Sequence, residues 1–168
     1  MDAAVSAARE KLNNVTPLKK DCGRICGARC CRSLDGEETG MLLFPGEADA
    51  YADKAGWEIR ETARGMMILC PGVCSREERP LSCRLFPLLP LIGDDGKIRV
   101  IPDQRAKPVC PLARQGKEAL DPAFIEAVRE AGELLAEHEE QAVFLDMLEE
   151  EQEELKELRK KFIIHNRS

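Results

Sequence analysis

Four cysteines fall within the ten residues CGRICGARCC, positions 22–31, and the 168-residue chain holds eight in all. Such density leaves few folds open. The thiols must be cross-linked, buried as small apolar groups, kept for redox chemistry or gathered on a metal. The N-terminal stretch MDAAVSAAREKLNN has an early acid and no apolar run of the secretory kind, and no run of the chain is apolar enough to span a membrane. A reducing, cytoplasmic setting without a membrane span is therefore expected, where clustered cysteines are metal-binding or catalytic more often than disulfide-bonded. Burial as small hydrophobes explains one or two thiols, not four beside Arg24, Arg29 and Arg32.

The candidate ligands are Cys22, Cys26, Cys30 and Cys31, followed by the dispersed Cys70, Cys74, Cys83 and Cys110. Four thiolates commonly hold either a tetrahedral zinc or an iron–sulfur cluster. Cys22, Cys26 and Cys30 recur every four residues and would share one face of a helix, while Gly23 and Gly27 permit tight bends instead. The adjacent Cys30 and Cys31 diverge unless the backbone turns sharply. His138 and His165 lie far along the chain, in helical surroundings, and read as solvated residues. Without a histidine base in a convincing setting, nucleophilic cysteine catalysis is not expected. A four-thiolate site around a divalent ion keeps a net negative charge, which the arginines flanking both groups, including Arg76, Arg79 and Arg84, can offset. Cys70 and Cys110 each precede a proline, a context also found at a bacterial ferredoxin ligand, and this tips the balance slightly toward iron.

The expected fold class is α+β: a small, irregular, metal-stapled body (1–120) with short strands and a β-hairpin, then a C-terminal helical hairpin (121–168) packed on it or extending from it. Val5, Ala8, Leu12 and Val15 predict a helix within 2–15, and SLDGEETG reads as a loop. MLLF and GMMIL read as short strands, and PGEADAYADKAG as a helix opened by Pro45. A short helix from Pro80 carries Cys83, and LIGDDGKIRVIP turns as a hairpin at Asp95–Gly96. Asp121 caps a helix with Pro122 at its first position, and Phe144, Leu148, Leu155, Leu158 and Phe162 mark another. Aromatic residues are only 4% of the chain, with one Trp and one Tyr, so a metal staple would supplement a lean core. Such a site contributes on the order of 10 kcal/mol, and its removal is expected to unfold the body cooperatively.

The net charge of −6 is uneven: residues 121–168 carry −8 and residues 1–120 carry +2. This pattern excludes a typical nucleic-acid binder and leaves the acidic helices as a possible surface for a protein partner. Glu37, Glu38, Asp94, Asp95 and Asp103 read as solvated loop carboxylates.

The compact cysteine run, the following pair, the string RPLSCRLFP (Arg79 to Pro87) and the late Cys-Pro together resemble the cysteine-cluster family of zinc- or iron-chelating proteins. The resemblance spans residues 22–111. One branch of that family is similar to flagellin lysine N-methylases. It implies all eight cysteines as metal ligands, with Arg79 and Arg84 as supporting, cofactor-side residues. The chain departs from the family in the three-residue gaps of its first run and in SREE before Arg79, where an apolar–aromatic pair is usual. Three functions follow as expectations: a metal-binding protein with an iron–sulfur cluster or zinc in a structural or redox role, an S-adenosylmethionine-dependent methylase-like enzyme, or a metal-stapled interaction module. No glycine-rich nucleotide loop follows a clear strand, which weighs against the second.

Overall fold

Leucines and alanines at helical spacing, rather than aromatics, build the centre of this protein. The structure, a computed structural model, describes residues 1–32, 40–69, 72 and 74–165. Helix α1 (Ala3–Lys11) starts where the Asp2 side chain accepts the amides of Ala4 and Val5 at 2.9 and 3.1 Å. Val5, Ala8 and Leu12 are fully buried on one face. The helix stops at Lys11, short of the Val15 that the expected span 2–15 included.

Strands β1 (Gly40–Leu42), β2 (Glu58–Thr62) and β3 (Gly65–Leu69) form an antiparallel sheet in the order β1–β3–β2. β1 and β3 match the expected strands. β2 has a charged, barely alternating sequence, EIRET, and escapes sequence reading. The expected helix over 45–56 does not form; a single 3₁₀ turn at Ala48–Ala50 stands in its place. The reason is tertiary: Glu47 turns inward, fully buried, to accept from the amides of Phe44 and Leu81 and from Arg9. That demand overrides local helix propensity.

Helix α3 (Leu81–Leu85) follows Pro80 as expected, and a cis Phe86–Pro87 bond leads into β4 (Leu88–Ile92). β4 pairs with β5 (Ile98–Pro102) in the hairpin expected at Asp95–Gly96. Pro90 sits inside β4 opposite Val100, which a two-stranded ladder tolerates because each strand has an open side. Short helices α4 (Ala106–Val109) and α5 (Pro111–Gln115) lead to α6 (Pro122–Ala136), capped by Asp121 and opened by Pro122. The 27-residue α7 (Glu139–His165), about 40 Å long, completes the helical hairpin. The fold is α+β.

One core joins α1, α3, β4, α6 and the first half of α7, through Leu12, Leu85, Leu91, Leu135, Leu145 and Leu148 among others, and none of the described cysteines belongs to it. α6 lies so close to the hairpin that a Cβ on Gly132 would stand 2.5 Å from Pro90 Cβ. Among the described residues, no helix is long and apolar enough to cross a membrane. The expected loop SLDGEETG lies outside the described residues except for Gly40.

Candidate metal centre

The first cysteine block folds by its own small residues. Asp21 accepts the amide of Gly23 at 3.0 Å and caps α2 (Cys22–Cys26), which sets the Cys22 and Cys26 side chains one turn apart on a shared face. The helix ends there because Gly27 and Ala28 both take left-handed backbone angles, with φ of 66° and 52°. Glycine adopts that conformation freely, whereas for alanine it costs about 1–2 kcal/mol. The resulting 3₁₀ turn, Arg29–Cys31, folds two adjacent side chains the same way, and Cys30 Sγ lies 3.9 Å from Cys31 Sγ. A tetrahedral thiolate site with metal–sulfur bonds of about 2.3 Å has sulfur–sulfur edges of about 3.8 Å. The pair already stands at ligand spacing.

The second group arrives from three other places. Cys74 precedes a tight turn over 75–79, Cys83 lies in the middle of α3, and Cys110 joins α4 to α5. Pro111 is the first residue of α5, a structural use of the Cys-Pro step. Cys70 lies outside the described residues, as do Glu37 and Glu38.

The two groups converge on adjoining cavities. The larger, about 480 Å³, is lined by Cys22, Cys26, Cys30, Cys83 and Cys110. The smaller, about 90 Å³, brings in Cys31 and Cys74 and shares Cys22, Cys30 and Cys83 with the first. Residues as far apart as Cys22 and Cys110 thereby face common spaces. Among the described residues, no three His, Cys, Asp or Glu side chains form a closed ligand set. The thiols are gathered but not closed. Their chemistry, soft sulfur donors with arginine beside them, fits a thiophilic metal.

Charge around the thiols is arranged with care. Burial resists the charge of Arg79, yet hydrogen bonding with Cys74 and the nearby Cys31 and Asp21 hold its guanidinium above its ordinary value. The Cys30 bond lowers Cys31 to about 6 against the opposing effect of burial, with Arg79 helping, while the same bond and burial push Cys30 up. Burial raises Cys22, and so does the proximity of Cys26 and Cys110. Arg76 and Arg84 are pulled below their usual value by burial and by neighbouring arginines.

Two of these arginines also hold the walls. Arg76 donates to the carbonyls of Asn13 (2.8 Å), Leu12 (2.6 Å) and Val15, and so fixes the 75–79 turn to the end of α1. Arg84 donates to the carbonyls of Arg79, Arg9 and Glu77 at 3.0–3.2 Å and to Asn13 Oδ1. Arg84 thus acts on the site by positioning the chain around Cys83.

Sequence reasoning missed the support behind α3. Arg9 donates to Glu47 Oε1 and to the Tyr51 hydroxyl, both at 2.8 Å, and Leu81 N donates to the same Glu47 oxygen. Tyr51 in turn donates to the Glu78 carbonyl at 2.9 Å. Local patterning gives no signal for these partners, which are 27 to 42 residues apart. Asp103 was expected to be solvated but is buried, bonded to Arg105 and Gln152. Asp94, Asp95 and His138 are exposed, and the His165 side chain lies outside the described residues. No protein-family model, curated protein or solved structure matches the chain.

Proposed function

We propose that this chain is a metal-binding cysteine-cluster protein, holding an iron–sulfur cluster or zinc through cysteine thiolates in a structural or redox role. The observation that carries the reading is the convergence of Cys22, Cys26, Cys30, Cys83 and Cys110 on one cavity. Disulfide bonding does not account for it: Cys22, Cys26, Cys30, Cys31 and Cys110 are all free thiols. Such thiols suit a reducing, cytoplasmic compartment. The reading agrees with the resemblance to the zinc- or iron-chelating family carried by RPLSCRLFP.

Residues from both blocks would hold the metal: Cys22, Cys26 and Cys110 with Cys30 or Cys83 at the larger cavity, and Cys31 and Cys74 at the smaller, while Cys70 is a ligand candidate from sequence alone. Zinc there would supply a staple between the blocks; an iron–sulfur cluster would supply a one-electron couple. Arg79 would offset the net negative charge of the thiolates. Because Pro111 also opens α5, the Cys110–Pro111 step favours neither metal.

The test is metal and acid-labile sulfide analysis, with an absorbance spectrum, on protein purified without oxygen. Stoichiometric iron with sulfide and a visible chromophore, or stoichiometric zinc without colour, is the expected result. Metal-free protein with every thiol open to titration would overturn the reading.

A further inference from the structure

We propose that the larger cavity is also a binding site for a small organic anion with an apolar body, of the type of a short aliphatic carboxylate. This goes beyond the metal reading and does not depend on it. At about 480 Å³ the cavity lies within the roughly 300–1,000 Å³ typical of small-molecule sites. Leu18, Ile25, Phe86, Val109 and Leu112 supply apolar wall, and Arg29, Arg76, Arg79 and Arg84 supply cations.

Among the described residues, those cations lack the carboxylate partners that Arg9, Arg99 and Arg105 have. Arg9 meets Glu47 at 2.8 Å, Arg99 meets Glu149 at 2.5 Å and Arg105 meets Asp103 at 2.8 Å. Among the described residues, none of the four cavity arginines has a carboxylate within ion-pair distance, although the chain as a whole is acidic. Asp21 is the only acid on the cavity wall among the described residues, and it is engaged with the Gly23 amide and with Arg24 at 3.9 Å.

With neutral thiols, one carboxylate stands against four guanidinium groups among the described residues of this wall. Arg76 and Arg84 are held in place by backbone carbonyls, so their charge is fixed before a ligand arrives. Arg29, at the exposed rim, makes no side-chain hydrogen bond or ion pair among the described residues and is available to the ligand. Guanidinium groups favour a carboxylate head, and the wall favours an aliphatic tail.

The experiment is calorimetry on the full chain purified without oxygen, with the metal content of the same sample measured. Hexanoate should bind at one site, inorganic phosphate more weakly, and hexylammonium not at all. Arg29→Gln should weaken hexanoate about tenfold, as for loss of one charge-assisted hydrogen bond, with metal content and circular dichroism unchanged. Hexylammonium binding as well as hexanoate, or an Arg29→Gln variant with unchanged affinity, would overturn the proposal. Metal-loaded protein that gives no heat with hexanoate would overturn it and leave the metal reading intact. Metal-free protein that binds hexanoate would do the reverse.

Discussion

Cys30 Sγ and Cys31 Sγ lie 3.9 Å apart because Ala28 takes a left-handed turn just before them. The same turn explains why the cysteine block is held differently from the rest of the site. The backbone hydrogen bonds of residues 21–32 outside helices run to near neighbours, such as Ala28 N to Gly23 O and Cys31 N to Ala28 O. The facing wall is instead held by distant groups: Arg9 and Arg84 reach the Glu77 carbonyl, and Arg76 reaches the end of α1.

Metal removal should therefore loosen one wall and not the whole protein. Among the described residues, the core around Leu85, Leu135 and Leu145 contains no cysteine. Hydrogen exchange before and after chelation should show amides 22–32 losing protection while those of α6 and β4 keep it. This is narrower than the cooperative unfolding that the aromatic-poor composition suggests. Equal loss of protection in α6 would show that the metal does hold the whole fold.

The contrast marks where sequence reading succeeds and where it stops. Capping signals such as Asp2 and Asp121–Pro122 act through neighbours two or three residues away, so α1 and α6 were legible. The Asp95–Gly96 hairpin and the Pro80 helix were legible for the same reason. The cysteines could be named, but their convergence depends on loops whose anchors are Arg76, Arg84 and Glu47. Those side chains bond across 34 to 75 residues, and nothing local marks them. Glu47 illustrates the difficulty, since GEADAY looks like solvated helix until the buried carboxylate is seen accepting from Leu81.

Truncation separates the two halves of α7. Leu145 and Leu148 are buried in the core and Gln152 accepts from the Gln104 amide at 2.7 Å, whereas Leu158 and Phe162 are exposed. A chain ending at Lys156 should keep a cooperative thermal transition, whereas one ending at Leu120 should not fold, having lost Phe124, Leu135 and Leu145. Cooperative melting of the shorter chain would show that residues 1–120 fold alone.

The single tyrosine offers a direct reading of the network behind α3. Burial, with the Glu47 carboxylate adding to it, pushes the Tyr51 phenol up to about 12 although Arg9 pulls the other way. Because no other tyrosine contributes, phenolate absorbance reports this group alone. Its midpoint should fall near 12 and drop toward the ordinary value of about 10 on unfolding. A midpoint near 10 in folded protein would place the hydroxyl in water.

Glu47 supplies a pH signature of stability. Burial raises its pKa, while bonds from Leu81, Arg9 and Phe44 only partly oppose it. A carboxyl with a raised folded value binds its proton more tightly in the folded state. Its stabilising contribution is therefore full below the unfolded pKa of about 4.3 and is lost as pH rises through the folded value. Glu47→Gln abolishes this titration. The stability difference between wild type and variant should shrink as pH rises through that window and then level off, and urea midpoints at a series of pH values would measure it. A difference that widens with pH would mean that Arg9 holds the carboxylate ionised below its usual range.

Gly132 sets two known effects against each other. In an exposed helix interior, replacing glycine with alanine gains about 1 kcal/mol. Here the new Cβ would stand 2.5 Å from Pro90 Cβ and 2.9 Å from Ile98 Cγ2, inside the contact between α6 and the β4–β5 hairpin. The proline ring is rigid and its strand is paired along its length, so neither neighbour yields cheaply. Overpacking of this kind costs about 1–3 kcal/mol and should outweigh the helix gain. Gly132→Ala should therefore lower the urea midpoint at unchanged m-value. Pro90→Ala, which removes the ring but keeps Cβ, should rescue little, because the closest approach is to Pro90 Cβ itself. A stabilised Gly132→Ala variant would mean that α6 stands farther from the hairpin than the 2.5 Å approach requires.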